Sequence, residues 1–204
     1  VTRLKLNRLS PVAVAALAQQ ALRAPAGLFE ATQGNRFFLT ELLRSGVAEV
    51  GHVPSSVQSL VLARFARLPA AAQAVVRIAS LVPTRIEHWL VDALLPAAAG
   101  DLQSALESGL LQADAATLQF RHELARVAIE ASLAPPVARS LHAQILRALV
   151  QAGRAVPHAR LVHHAQAAGD AEALRRHAPA AAAEARQRGA HREAVRHDEL
   201  LLQL

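Results

Sequence analysis

The sequence predicts a mainly helical, all-α chain with one small β-hairpin, in which a winged-helix-like domain precedes α-solenoid helices of tetratricopeptide type. Three observations predict it. Hydrophobic residues make up 52% of the 204 positions, and Ala and Leu, the strongest helix formers, dominate them. From Ser55 onward, apolar residues recur at helical spacing between Pro and Gly punctuation. That rhythm breaks where Leu110-Leu111-Gln112-Ala113 and Thr117-Leu118-Gln119-Phe120 flank Asp114-Ala115-Ala116. Two short alternating segments around an Asp-bearing turn read as a hairpin.

Arg3-Leu4-Lys5-Leu6-Asn7 alternates with period two and suggests a strand end. Ser10-Pro11 then supplies an N-cap and a Pro at the first helical position, opening a helix over 12–22 that Ala24-Pro25 breaks. A short helix over 27–32 leads to a second over 37–44, which Gly46 stops, and 47–54 reads as a linker. Val57, Leu60, Val61, Phe65 and Leu68 sit at helical spacing up to Pro69. Helices over 71–81 and 86–95 follow, then Pro96 to Gly100 as punctuation, and Asp101 caps a helix over 102–108.

The length suffices for one large domain or two to three small ones, with material for a buried core. The absence of Cys excludes a disulfide scaffold and thiolate metal sites and fits a cytoplasmic protein. No apolar run reaches the roughly 20 residues that cross a bilayer, so no membrane association is expected. The chain opens on Val1 rather than Met and is expected to be a piece of a longer protein. Its net charge of +6 comes almost entirely from Arg, since Lys5 is the only Lys. The Arg residues are interleaved with Glu and Asp and with no aromatic run, so a solvated face is favoured over a nucleic-acid groove.

Thr32-Gln33-Gly34-Asn35-Arg36-Phe37-Phe38-Leu39-Thr40-Glu41-Leu42-Leu43 carries the most information. Gly34 permits a left-handed or tight backbone, and Asn35 can cap the helix that Phe37 and Phe38 enter. Free backbone N–H groups at such a junction can receive a nucleotide or another anion, or the junction is an ordinary capped helix. The segment resembles the T-G-G-N-P-F-F-(V/L)-x-E-L-L signature of the large LuxR-type ATPase transcriptional regulators. These belong to the signal-transduction ATPases with numerous domains. In that family the signature lies just after the ATPase core, beside the adenine nucleotide. The resemblance therefore implies nucleotide contact through Gly34, Asn35 and Arg36. Arg36 stands where the family carries a Pro that shapes the adenine contact. Proline fixes φ and lacks a donor, whereas Arg adds charge and flexibility, so a degenerate loop that does not switch stays open beside a binding one.

Helices followed by a hairpin and another helix read as a winged helix over roughly 55–133. A free-standing DNA binder is disfavoured. The helix over 102–108, with Asp101 before it and Glu107 within it, holds no Arg or Lys and would be repelled by phosphates. After the hairpin comes Phe120-Arg121-His122-Glu123-Leu124-Ala125-Arg126-Val127-Ala128, with His122 where strand becomes helix. Its ring is expected to project out of the domain, either as a capping or surface His or as a ligand group. The block resembles the family's F-R-H-x-L-x-R-x-A. The resemblance places His122 like the winged-helix histidine that contacts the ADP β-phosphate in related nucleotide switches.

The C-terminal third reads as a long helix over 135–153, a break at 154–157, and helices over 158–168, 172–188 and 191–204. Small-residue helix pairs joined by short turns suggest the start of a tetratricopeptide-like array, though no full 34-residue period appears. Leu161-Val162-His163-His164-Ala165-Gln166-Ala167-Ala168-Gly169-Asp170 resembles the L-x-H-H-x-x-x-A-G-D that opens the helical repeats of these regulators. His158, His163, His164, His177, His191 and His197 include no pair spaced for a firm chelate, so surface or inter-helix packing is expected and no metal site.

The chain has no G-x-x-x-x-G-K-[ST] phosphate loop, no G-x-S-x-G elbow and no Cys nucleophile, so no enzyme activity of its own is expected. The expected organisation is 1–53 as the end of an ATPase module, 54–134 as the winged-helix-like domain, and 135–204 as connector and repeat start. The expected role is the middle fragment of an ATP-dependent signalling or transcription regulator. It would couple nucleotide state to effector or DNA-binding output. The resemblance implies ATP or ADP as cofactor of the whole protein, with none for the isolated fragment. It also implies the ATPase core of the same polypeptide as a partner, an effector protein or small molecule on the repeats, and DNA only through a region absent here. The alternative is an α-helical protein–protein interaction adaptor with no nucleotide link.

Overall fold

The computed structural model describes residues 8–22, 24, 27–45, 55–96 and 101–203. The expected strand end at 3–7 and the linker at 47–54 lie outside these residues. The chain divides into two compact units, Val1–His88 with Ala97–Ser132, and Trp89–Pro96 with Leu133–Leu204.

The first unit begins with three short helices: α1 (Pro11–Gln20), α2 (Leu28–Thr32) and α3 (Arg36–Ser45). Ser10 caps α1 as its sequence requires, its hydroxyl accepting from the Ala13 N–H at 3.2 Å, with Pro11 at the first helical position. The helices α4 (Ser55–Ala66) and α5 (Ala70–Ser80) follow, then strand β1 (Ile86–Glu87); α6 (His88–Leu94) is next along the chain and from Trp89 onward belongs to the second unit. Helix α7 (Asp101–Glu107), strands β2 (Leu111–Ala113) and β3 (Thr117–Phe120), and α8 (Glu123–Ala131) complete the series. Along the chain this gives the order helix–strand–helix–helix–hairpin, with the sheet and its flanking helices α5, α7 and α8 in the first unit.

The expected hairpin forms, with Leu111 opposite Phe120 and Ala113 opposite Leu118. Its turn is built by Asp114, whose carboxylate accepts from the N–H groups of Ala116 at 2.9 Å and Thr117 at 2.7 Å. Those hydrogen bonds, that from Ala116 first, hold the Asp114 carboxyl below its usual range. The sheet also holds a strand that the helical reading of 86–95 missed. Ile86 and Glu87 pair antiparallel with β3, giving the order β1-β3-β2, and the helix starts only at His88. The cause is local: Thr84 turns the chain at φ 65°, and buried Ile86 then faces Leu118 across the sheet.

Helix α8 is the centre of this unit, packing against α2, α4, α5 and β3. Leu124, Ala125, Ala128 and Ile129 form its buried face. Arg126 lies beside that face with its side chain almost covered. Its guanidinium donates to Glu123 and Glu130 at 2.7 Å and to the Ser80 carbonyl at 2.6 Å, joining the end of α5 to α8. Desolvation works against the charged form, but the two carboxylates outweigh it and raise the pKa. Because both carboxylates are partly hydrated, Arg126→Met is expected to cost about 2 kcal/mol rather than the larger loss of a fully buried pair. Urea unfolding monitored by circular dichroism measures it, and an unchanged midpoint would show the network to be worth nothing.

The second unit contains α9 (Pro135–Gln151), α10 (His158–Ala168), α11 (Ala171–Gln187) and α12 (His191–Leu202), each packed on the next. Ala178, Ala181, Ala182 and Ala185 are fully buried along α11, and such small side chains let neighbouring helices approach closely. Both α10 and α11 end in a glycine with positive φ, Gly169 and Gly189. The same paired bonds close each end: Asp170 N–H to Ala165 and Gly169 N–H to Gln166, then Ala190 N–H to Ala185 and Gly189 N–H to Arg186. Within this unit the Arg154 guanidinium also stacks over the Trp89 ring at 4.6 Å. Among the described residues no helix is long and apolar enough to cross a membrane.

Candidate functional site

The junction between α2 and α3 folds as its residue types dictate. Thr32 ends α2, Gln33 takes φ 50° and Gly34 φ 68°, so the chain reverses in two left-handed steps. Asn35 then caps α3: its Oδ1 accepts from the N–H of Phe37 at 3.0 Å and of Phe38 at 3.4 Å. Gly34 is also required by space. The Leu9 N–H donates to the Gly34 carbonyl at 2.9 Å, and a Cβ on Gly34 would stand 2.1 Å from the Leu9 carbonyl oxygen.

His122 meets this junction from the other end of the unit's sequence. It precedes α8 in extended conformation, at φ −142° and ψ 127°, where β3 hands over to the helix. The ring leaves the 54–134 segment, as the sequence suggested, but it meets the α2–α3 junction rather than solvent. It packs edge-on against Phe38 at a centroid distance of 4.8 Å, and its Nε2 lies 3.4 Å from Asn35 Nδ2. The physical reason is that α2 lies against α8, so the side chain leaving the start of α8 runs into the α2–α3 loop.

The cap settles the protonation of the ring. With Oδ1 of Asn35 occupied by backbone N–H groups, its amide NH₂ faces His122, so Nε2 accepts and the proton sits on Nδ1. Nδ1 is buried with no hydrogen-bond partner. Burial, then the nearby Arg8, push the pKa of His122 down to about 4, with Arg121 and Arg64 adding to the effect. The Thr32 carbonyl pulls the other way without making a hydrogen bond of good geometry to Nδ1. Near neutral pH the imidazole is therefore uncharged in basic surroundings.

A cavity of about 210 Å³ opens beside this contact. Asn35, Arg64 and His122 give it polar edges, and Phe37, Phe38 and Leu60 are among its apolar walls. It is smaller than the roughly 300 Å³ at which small-molecule sites begin, so it can take one group of a ligand. Of the four sequence candidates, the structure brings Gly34, Asn35 and His122 together. Arg36 is exposed and lines a different depression, with Leu9, Leu17 and Thr40. The sequence reading overlooked Arg8 and Arg64, which carry no motif, and the ring contact of Phe38.

The histidines of the second unit also sort themselves. His197 is buried and His158 pairs with His177 at 3.3 Å, in line with inter-helix packing, while His164 is buried in a group of three histidines. His142, which had not been singled out, lies against His164.

No protein-family model matches the chain, and neither does any curated protein. A solved structure does: a signal transduction ATPase with numerous domains, carrying a tetratricopeptide repeat sensor, from Pyrococcus horikoshii. The likeness has a TM-score of 0.54 at 20% sequence identity and covers 96% of this chain but 30% of that one. At this identity the likeness shows the fold alone, a mainly helical chain with a small sheet.

Proposed function

We propose that this chain is the nucleotide-sensing middle of an ATP-dependent signalling or transcription regulator, without catalysis of its own. In this reading residues 1–53 complete the ATPase module, 54–134 form the winged helix, and 135–204 begin a repeat array that receives an effector. The single observation that carries it is the meeting of Asn35 and His122, 87 positions apart, beside a cavity with Arg64 at its edge. Loop and winged helix thus share one polar contact, at the place where an anionic group would find Arg8, Arg64 and Arg121 around a histidine. ATP or ADP, DNA output through a region absent here, and a cytoplasmic setting all belong to this proposal.

The mechanism follows from the tautomer. Nε2 now accepts from Asn35, and a phosphate oxygen also accepts, so the two cannot meet without a proton on Nε2. A phosphate in the cavity competes with Asn35 for the ring and supplies the negative charge that raises its pKa. Where Nδ1 keeps its proton toward the Thr32 carbonyl, binding takes up a second proton from solvent onto Nε2 and tightens as pH falls from neutrality.

In the whole protein, His122→Ala is expected to weaken ADP binding about ten- to hundred-fold, the worth of one hydrogen bond to a charged group. The loss should be larger for ADP than for ATP if the winged helix moves away in the ATP state. Nucleotide titration of wild type and variant at two pH values measures both effects. Equal ADP affinity would instead favour a helical adaptor with no nucleotide link, a reading that the exposed, outward Arg36 already supports.

A further inference from the structure

Helices α9 and α10 pack side by side, and three imidazoles converge between them. His142 comes from α9, and His163 and His164 from α10. One ring nitrogen from each lies within 4.8 Å of the others. The Nδ1 atoms of His142 and His164 are 2.9 Å apart, and the His163 ring stands edge-on to both at centroid distances of 5.6 and 4.9 Å. We propose that His142, His163 and His164 form a binding site for a divalent transition metal of the zinc class.

The geometry is close to what such an ion needs. A tetrahedral zinc holds each imidazole nitrogen at about 2.0–2.1 Å, which sets neighbouring ligand atoms roughly 3.3 Å apart. The His142–His164 pair needs to open by a few tenths of an ångström, and His163 to close. An all-imidazole set suits zinc, copper or nickel and does not suit magnesium or calcium, which take oxygen ligands. Three protein ligands leave a fourth position for water.

A hydrogen bond between His142 and His164 does not account for the whole cluster. It occupies the Nδ1 of each of those two rings and leaves the third imidazole outside it. His163 is exposed, which gives an ion its entry path and adds a ring that the pair does not need. The two buried rings are already neutral, as ligands must be: burial first, then the other histidines, holds both pKa values down, that of His142 at about 4. The charge of Arg160 also bears on His164, and among the described residues no carboxylate joins the group, so the affinity should be micromolar rather than that of a structural zinc finger.

The test uses the whole chain with zinc chloride alone, followed by calorimetry and by competition with a chromogenic chelator. One zinc per chain and a raised melting temperature are expected. Exposed His163→Ala should weaken binding at least tenfold while leaving the circular dichroism unchanged, and His191→Ala, remote on α12, should leave binding intact. Cobalt in place of zinc should give the strong visible bands of tetrahedral coordination. Absence of saturable one-to-one binding, or the same affinity in the His163→Ala variant, would overturn the site.

Discussion

Phe38→Ala is expected to destabilise the first unit by about 3–5 kcal/mol, whereas Phe37→Ala should cost under about 1 kcal/mol. The two adjacent aromatics differ because α3 turns them to different surroundings: Phe38 is 6% exposed and Phe37 is 44% exposed. Phe38 also carries the edge of the His122 ring, so its loss opens space on one side of the imidazole. Phe37 meets Phe38 edge-on at 5.8 Å and lines the open side of the cavity, where a ligand or a neighbouring domain can cover it. Thermal and urea unfolding of both variants measure the contrast. Equal melting temperatures would mean that the start of α3 is rotated from its place here.

Gly34→Ala should be nearly as damaging, at about 3 kcal/mol or more. Two penalties act together. The backbone sits at φ 68°, where a side chain is strained, and the new Cβ would stand 2.1 Å from the Leu9 carbonyl oxygen. Backbone cannot swing aside as a side chain does, so relief must come from separating the Leu9 segment from the loop, breaking their hydrogen bond. Gly189→Ala is the control. It has a similar φ of 73° but nothing within 4 Å of the added carbon, so it pays the strain alone. The difference between the two variants in unfolding free energy isolates the steric part, and equal losses would remove the close approach from the account.

Much of the fold was legible in the residues, and what was not had physical reasons. Helices announced themselves through Ser10-Pro11, Pro69, Gly169 and Gly189, where capping and breaking chemistry is local. The hairpin was readable because Asp114 builds its turn from its own neighbours. Strand β1 was not, since two residues are too few to display a period and the segment's apolar spacing continued into α6. Gly34, Asn35 and His122 could be singled out one by one, by residue type and position together with the motif resemblance that those positions carry. Their meeting could not, for it depends on α2 lying against α8. The same limit hid His142: spacing within one helix says nothing of a ring delivered by the helix packed next to it.

The amide of Asn35 is rigid and planar, and it is held at both ends. Its oxygen is fixed by the first turn of α3 and its nitrogen faces the ring that starts α8. Such a side chain works as a short lever. If α3 tilts about its own beginning, the amide plane turns with it, and the imidazole must follow or let go. Displacing the ring from the other side would pull on two backbone N–H groups of α3 in turn. The start of α3 and the start of α8, distant in sequence, thus meet through a planar amide and, beside it, through the edge of the Phe38 ring.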